Sequence, residues 1–207
     1  WTWTRKVAFN GVETEIKENP DSADVERRSL TVTKRVNSSP AEEASYQLWE
    51  KVVFVVTVEN NGNVSLSDIR VSDEMQNAAG EAKYDAVLTG ENNANAEIAS
   101  DANGDVILRK LDVNEKIDLY YTYEIQPYDI GNTNSVWNKV RVNVTDVPEQ
   151  TGSTDPLPIA GKKPIYDIAK RIISTGSAED GKYAAGDTIS YEITFKNTGN
   201  TVLSGIE

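Results

Sequence analysis

A lysine lies where the alternation of a β-strand calls for a buried apolar side chain. Successive residues of a strand point to opposite sides, so the even-numbered residues of segment 30–36 share one face. These residues are Leu30, Val32, Lys34 and Val36. Because the other three are apolar, Lys34 is predicted to point into the interior. A lysine is almost never fully buried without a partner, since desolvating an unpaired ammonium is costly, so a partner for this amine is expected elsewhere in the chain.

The chain reads as all-β. Short alternating runs rich in β-branched and aromatic residues recur along it, and no window shows the stripe of an amphipathic helix. The predicted strands cover residues 30–36, 51–59, 66–72, 106–110, 117–125 and 135–145. The pair Asn61-Gly62 and the run DANGD at 101–105 are turn signals between such runs. Strands at this spacing predict an antiparallel β-sandwich.

The chain also contains an internal repeat. The segment VTKRV at 32–36 matches IAKRI at 168–172, an offset of 168 − 32 = 136 residues. Further along, VVFVVTVENNGNVSLSDI at 52–69 matches TISYEITFKNTGNTVLSGI at 188–206. Self-similarity at a fixed period is the signature of an array of domains. The sequence therefore predicts a tandem repeat whose second copy contains only the opening strands.

The repeat sets the expected domain boundaries. Near the N-terminus KVAFN resembles the later KVRVN, as though a preceding copy ended there, and a stretch rich in Pro, Gly, Ser and Thr reads as a connector. The predicted units are the last strand of a preceding repeat with a linker (1–29), a complete repeat (30–147), a linker (148–164) and the opening strands of the next repeat (165–207).

Two further polar residues fall in the inward phase of predicted strands. Asn138 alternates with Val136 and Val140 in one strand. Asp73 follows Val71 in the phase of another. A lysine, an acid and an asparagine are therefore expected to share one apolar interior.

Such a trio has the groups needed to form an amide bond between side chains. Desolvation lowers the pKa of a lysine and raises that of an aspartic acid, so a neutral amine and a neutral acid can coexist. The amine of Lys34 would then attack the carboxamide of Asn138, with Asp73 as acid and base and with ammonia as the leaving group. Two other interpretations stay open: a buried Lys34–Asp73 salt bridge capped by the amide, and a Lys34 side chain that snorkels from an edge strand.

The pattern of VTKRV, then VVTVENNGNVSLSDIRVSDEM, then SVWNKVRVNV resembles the immunoglobulin-like repeats of bacterial cell-surface proteins. It is also similar to the stalk domains of Gram-positive adhesins and pilins. The resemblance covers about residues 30–145 and again 166–207. It implies immunoglobulin-like β-sandwiches in tandem, many of which carry a Lys–Asn isopeptide bond between the first and last strands.

The resemblance also assigns roles to residues. It implies that Lys34 is the nucleophile, Asn138 the acceptor and Asp73 the group that promotes the bond. Lys170 would be the nucleophile of the second copy. The position that matches Asn138 in the preceding copy is Arg5 or Thr4, so the implication does not extend to that copy.

Composition excludes several classes of function. The chain has 207 residues, a net charge of −12, and neither cysteine nor histidine. Without cysteine the chain cannot form disulfides, and without histidine it lacks the commonest general base near neutral pH. Its negative charge disfavours binding to nucleic acid. No run approaches the roughly 18 apolar residues of a membrane-spanning helix. We expect no enzymatic turnover, no cofactor and no membrane insertion by this segment, and neighbouring repeats of the same protein or fibre as partners.

Two weaker signals in the sequence have simpler explanations. Asp101, Asn103 and Asp105 have the spacing that opens a calcium loop, but the later glutamate is out of register, so an Asn-Gly turn is favoured. The tryptophans could stack on sugar rings, although packing is favoured for Trp49 and Trp137.

The expected role is that of a stalk or fibre spacer on the bacterial surface or cell wall. One rival is an adhesin module that binds a host glycan or protein. The other is a polymerising subunit completed by strands of a neighbouring chain.

Overall fold

The computed structural model describes residues 3–9, 12–18, 25–41, 44–77, 80–81, 85–92, 97–132 and 136–206. These residues contain fourteen β-strands and no helix, which confirms the all-β class. The strands are β1 (Trp3–Phe9), β2 (Val12–Glu18), β3 (Leu30–Val36), β4 (Lys51–Asn60), β5 (Leu66–Asn77), β6 (Gly80–Glu81), β7 (Val87–Glu91), β8 (Ile98–Ser100), β9 (Val106–Leu111), β10 (Lys116–Glu124), β11 (Val136–Val144), β12 (Val147–Ser153), β13 (Tyr166–Ile172) and β14 (Tyr191–Asn197).

Ten of these strands form two sheets that share one core. The first sheet has the order β3-β4-β10-β7, and the second has the order β12-β11-β5-β9-β8 with β6 beside β5. All of the strand pairs within them are antiparallel. The core contains side chains from both sheets, such as Val56 of β4 and Val71 of β5. This arrangement is consistent with a β-sandwich.

The core follows from the period-two alternation of its strands. In β11 the side chains of Val136, Asn138, Val140 and Val142 are all buried. In β10 the buried positions are Ile117, Leu119, Tyr121 and Tyr123. Burial of each large apolar side chain contributes on the order of 1.5–3 kcal/mol, so the alternation fixes which face of each strand turns inward.

Most predicted strands agree with the structure to within a few residues. Segment 30–36 coincides with β3, and the prediction for 66–72 is extended in β5 to Asn77. This extension places Asp73 within the strand rather than just after it. The short strands β7 and β8 were not predicted, because neither shows a run of alternating apolar residues long enough to be distinguished from a loop.

The segment predicted as a linker from residue 148 differs from the expectation. Residues 147–153 form β12, which pairs with β11, and Leu157, Ile159 and Ala160 are buried. The Pro- and Gly-rich composition reflects an edge strand that packs closely. An added Cβ at Gly152 would lie 3.2 Å from Cβ of Lys34. The ordered chain therefore continues along the sandwich to about residue 160.

Strands β13 and β14 pair in the register of β3 and β4. Lys170 lies opposite Ile193, as Lys34 lies opposite Val56. The face that carries Lys170 is exposed, with large apolar side chains in both strands. These side chains are Tyr166, Ile168, Ile172, Tyr191, Ile193 and Phe195.

The loops that follow β4 and β14 have the same pattern of hydrogen bonds. The Asn60 side chain accepts a hydrogen bond from the Gly62 N–H, and its amide donates to the carbonyl of Val64. The Asn197 side chain does the same with the Gly199 N–H and the carbonyl of Thr201. The two loops are thus built on one local plan.

The Asn61-Gly62 turn connects the two sheets rather than the strands of a hairpin. Its glycine is explained by close packing, because an added Cβ would overlap the Arg27 carbonyl oxygen and lie 3.0 Å from the Ser29 nitrogen. Within the described part of the chain, no helix is long and apolar enough to cross a membrane.

Replacing Gly62 by alanine is expected to lower the free energy of unfolding by about 1–3 kcal/mol, because backbone atoms must move to admit the methyl group. Gly90→Ala is the matched control, since nothing lies within 4 Å of an added Cβ there. Urea unfolding followed by tryptophan fluorescence measures both changes. Equal stability of the two variants would contradict the packing argument.

Candidate functional site

Lys34 points into the interior of the sandwich. Its side chain is 0% exposed, which excludes the snorkelling interpretation. The Nζ atom lies 5.5 Å from the ring centroids of both Phe54 and Tyr121. The backbone of β12 passes close to the Lys34 Cβ at Gly152. The amine therefore lies in an apolar and aromatic pocket that water hydrates poorly.

Asp73 lies between the two other polar groups. Its side chain is 3% exposed. One carboxylate oxygen, Oδ2, accepts a hydrogen bond from Lys34 Nζ. The other, Oδ1, accepts a hydrogen bond of 2.9 Å from Asn138 Nδ2. A single carboxylate thus connects β3 of the first sheet with β11 of the second.

Asn138 is fully buried at 0% exposure. Besides Asp73, its Nδ2 donates to the carbonyl of Glu74 at 2.9 Å, and it lies 3.3 Å from the Met75 sulfur. Its backbone N–H donates to Thr154 Oγ1. Among the described residues, the side-chain carbonyl oxygen Oδ1 has no hydrogen-bond partner. The amide nitrogen is therefore held by hydrogen bonds, while the carbonyl oxygen can still accept one.

Burial shifts the two ionisable groups towards their neutral forms. Desolvation lowers the pKa of Lys34, against the opposing effect of the Asp73 charge. Desolvation likewise raises the pKa of Asp73, against the effects of Lys34 and Asn138, and the nearby charge of Asp85 raises it further. The free-energy gap between the ion pair and the neutral amine–acid pair is thereby reduced.

The three predicted residues therefore come together at one point. The arrangement can act as a buried ion pair, or it can bring a deprotonated amine next to a carboxamide. Phe54, Tyr121 and Thr154 complete the surroundings, and their role was not predicted. The alternation of β10 marks Tyr121 as buried, but nothing in the sequence indicates that it faces Lys34.

Lys170 has different surroundings. Its Nζ lies 4.3 Å from the ring centroid of Tyr191, which corresponds to Phe54 in the register of the two strand pairs. Its strand is exposed along its whole length. The amine–aromatic contact of the Lys34 site is present here, whereas no second sheet covers it in the described part of the chain.

The DANGD segment forms a turn between β8 and β9. Gly104 has a φ of 86°, and Asp101 Oδ1 accepts hydrogen bonds from the backbone N–H groups of Asn103 and Asp105. The carboxylates of Asp101 and Asp105 both contact Arg70 Nη1, at 2.8 and 3.0 Å. No group of three or more potential metal-ligating side chains occurs among the described residues. The pairing with the Arg70 guanidinium explains why the two carboxylates lie close together.

The two tryptophans whose side chains the structure describes differ in exposure. Trp49 is 55% exposed, whereas Trp137 of β11 is half-buried. Trp1 lies outside the described residues.

Removing one member of the buried pair is expected to cost far more than removing both. We compare Lys34→Met, Asp73→Leu and the double substitution, each of which removes the amine, the carboxylate or both. Asp73→Leu leaves an unpaired buried amine and should be about 3–5 kcal/mol less stable than the double variant. Urea unfolding measures the difference. Arg109→Ala, which removes one partner of the exposed Arg109–Asp68 pair, serves as control and should change stability by less than about 1 kcal/mol.

No family model matches the chain, and no curated protein matches it. Two similar solved structures are those of a GH20 exo-β-N-acetylglucosaminidase from Vibrio harveyi, one an inactive mutant and the other a complex with N-acetylglucosamine. Each is 13% identical and has a TM-score of 0.30, with 71% of this chain and 21% of the enzyme covered. The chain thus spans about a fifth of these enzymes, and this similarity assigns it neither an activity nor a fold.

Proposed function

We propose that the sandwich is an immunoglobulin-like repeat of a bacterial cell-surface stalk or fibre, stabilised by a self-formed isopeptide bond between Lys34 and Asn138. The observation that carries this proposal is the Asp73 carboxylate, which bonds both the amine of Lys34 and the amide of Asn138 in a buried site. A salt bridge alone would need no asparagine with an unengaged carbonyl oxygen.

The reaction begins with a proton transfer within the buried pair. Lys34 gives a proton to Asp73, which converts an ion pair into a neutral amine and a neutral acid. Burial disfavours both charged forms, so this transfer is easier here than in water. The amine now has a free electron pair, and the acid has become a hydrogen-bond donor.

Asp73 Oδ1 faces the Asn138 nitrogen, at 2.9 Å from Nδ2. Once Asp73 is protonated, the acid therefore lies next to the atom that must leave. Its proton can pass to Nδ2 as the Cγ–Nδ2 bond breaks, and Nδ2 stays beside Asp73 throughout.

The bond-making step then balances within the three side chains. Lys34 Nζ attacks Cγ of Asn138, and the Nζ–Cγ bond forms as the Cγ–Nδ2 bond breaks. Asp73 takes a proton from the attacking nitrogen and gives one to the leaving nitrogen. The products are one secondary amide and one ammonia, and Asp73 keeps the proton that it received from Lys34 in the first step. Each molecule reacts once.

A bond at this position suits a protein under tension. It closes a loop of 138 − 34 = 104 residues. By analogy with a disulfide across about 100 residues, the loss of unfolded-state entropy is on the order of 4–5 kcal/mol. The absence of cysteine is compatible with this device, because an amide bond does not depend on redox conditions.

The proposal of tandem repeats is supported by β13 and β14. They repeat the register of β3 and β4, the loop hydrogen bonds of Asn60, and the lysine–aromatic contact of Lys34. We infer that Lys170 belongs to a second repeat of the same kind, with neighbouring repeats as partners and with an extracellular location.

The intact mass of the denatured chain is expected to be short by one ammonia. Peptide mapping should yield a branched peptide that joins Lys34 to Asn138. Asp73→Ala retains both reacting groups but lacks the proton carrier, so it should keep the unmodified mass. Lys170→Ala is the matched control and should still lose ammonia, since its exposed amine lies outside the site. An unmodified mass in the unaltered chain would refute the cross-link.

Stretching single molecules from their ends is expected to leave part of the chain unextended. The 103 residues between Lys34 and Asn138 should not contribute to the contour length, because the bond bypasses them. Lys34→Ala should restore that length, about 3.3–3.6 Å for each residue. Release of the same length from the unaltered chain would contradict a mechanical role for the bond.

A further inference from the structure

A cavity of about 410 Å³ adjoins the site at Asp73. Its polar wall is largely acidic, with Asp73 at the buried end and Asp85, Asp105 and Asn103 further out. Asp85 is exposed, so the cavity extends from the buried carboxylate to the surface of the sandwich. Its remaining wall includes Tyr121.

Tyr121 has an unusual position in this wall. The residue is only 4% exposed, and within the described part of the chain its hydroxyl has no hydrogen-bond partner. Burial and the charges of Asp73 and Asp105 raise the pKa of the hydroxyl, so it remains protonated and can donate. A buried donor without an acceptor is unfavourable, and such groups often bind a ligand or a transient species.

The other buried tyrosine hydroxyl of β10 provides a contrast. Tyr123 lies two residues further along the same face, and its hydroxyl donates to the Asp129 carboxylate at 2.7 Å. The missing partner of Tyr121 is therefore a property of its place in the cavity and not of buried tyrosines in this strand.

The proposed cross-link produces one small polar molecule at this point. The nitrogen that leaves, Nδ2 of Asn138, lies 2.9 Å from Asp73 Oδ1, and Asp73 also lines the cavity. Ammonia has one lone pair to accept a hydrogen bond and three N–H groups to donate. The cavity offers one unpaired hydroxyl donor and, as acceptors, the carboxylates of Asp85 and Asp105. Asp105 can accept further hydrogen bonds while it pairs with Arg70, because a carboxylate has about four acceptor positions.

We propose that this cavity receives the ammonia released from Asn138, with the Tyr121 hydroxyl donating to its nitrogen and the Asp85 and Asp105 carboxylates accepting from its N–H groups. The inference rests on the proposed cross-link. Removal of ammonia prevents its attack on the new amide, which would reverse the reaction. On reaching water the ammonia gains a proton from the solvent, and the acidic mouth of the cavity favours the resulting ammonium ion.

The test compares the rates of bond formation in Tyr121→Phe and the unaltered chain. Each full-length chain is produced in a short pulse of cell-free translation, quenched in acid at intervals, and analysed by intact mass under denaturing conditions. Phenylalanine retains the ring beside Lys34 and removes only the hydroxyl. We expect the rate of ammonia loss to fall about five-fold, the effect of one lost hydrogen bond of ordinary strength.

Tyr123→Phe is the matched control for loss of a buried hydroxyl and should react at the unaltered rate. A second measurement adds ammonium chloride, or sodium chloride at equal ionic strength. Ammonium should slow the unaltered chain more than sodium does, and this difference should shrink in Tyr121→Phe. A purely structural role of the hydroxyl would not produce that difference.

The outcomes separate this inference from the proposed function. If the unaltered chain loses ammonia while Tyr121→Phe reacts equally fast, or if Tyr123→Phe is slowed as much, the role of the cavity is refuted and the cross-link stands. If the unaltered chain loses no ammonia, the cross-link fails and the inference falls with it.

Discussion

The structure depends on one desolvated carboxylate. Asp73 is the only described acid shown to contact both Lys34 and Asn138, and without it a buried amine and a buried amide would have no common partner. The apolar alternation of β3, β5 and β11 brings the three side chains inward, and the same alternation removes water from them. Strand packing and the reactivity that we propose therefore have a common origin, since burial that stabilises the core also drives the pair towards neutrality.

The contact among these three side chains connects the two sheets. Lys34 belongs to the sheet of β3 and β4, whereas Asp73 and Asn138 lie on neighbouring strands of the opposite sheet. The contact therefore crosses the core rather than running along one sheet. Close approach of β12 is needed as well, because Gly152 leaves no side chain between that strand and Lys34. The site is assembled by packing between layers, and local strand pairing alone would not create it.

The sequence was sufficient for features that depend on alternation. It predicted β3 at residues 30–36 and the inward phase of Lys34, Asp73 and Asn138, because burial selects one face of a strand. It did not predict β12, whose glycine reflects close packing against Lys34 rather than chain flexibility. The unpaired hydroxyl of Tyr121 could not be predicted from the sequence either, since a missing partner depends on which residues lie nearby in the fold.

The position of the lysine and the asparagine has a consequence for proteolysis. Lys34 lies on the first strand of the sandwich and Asn138 on one of its last two, so the loops from the end of β3 to the start of β11 fall between them. Once the proposed bond is made, a protease that cuts one of these loops, such as the exposed turn at Asn103, opens a ring and releases no fragment. The two pieces stay covalently attached, so the covalent connection from one end of the chain to the other survives a single cut.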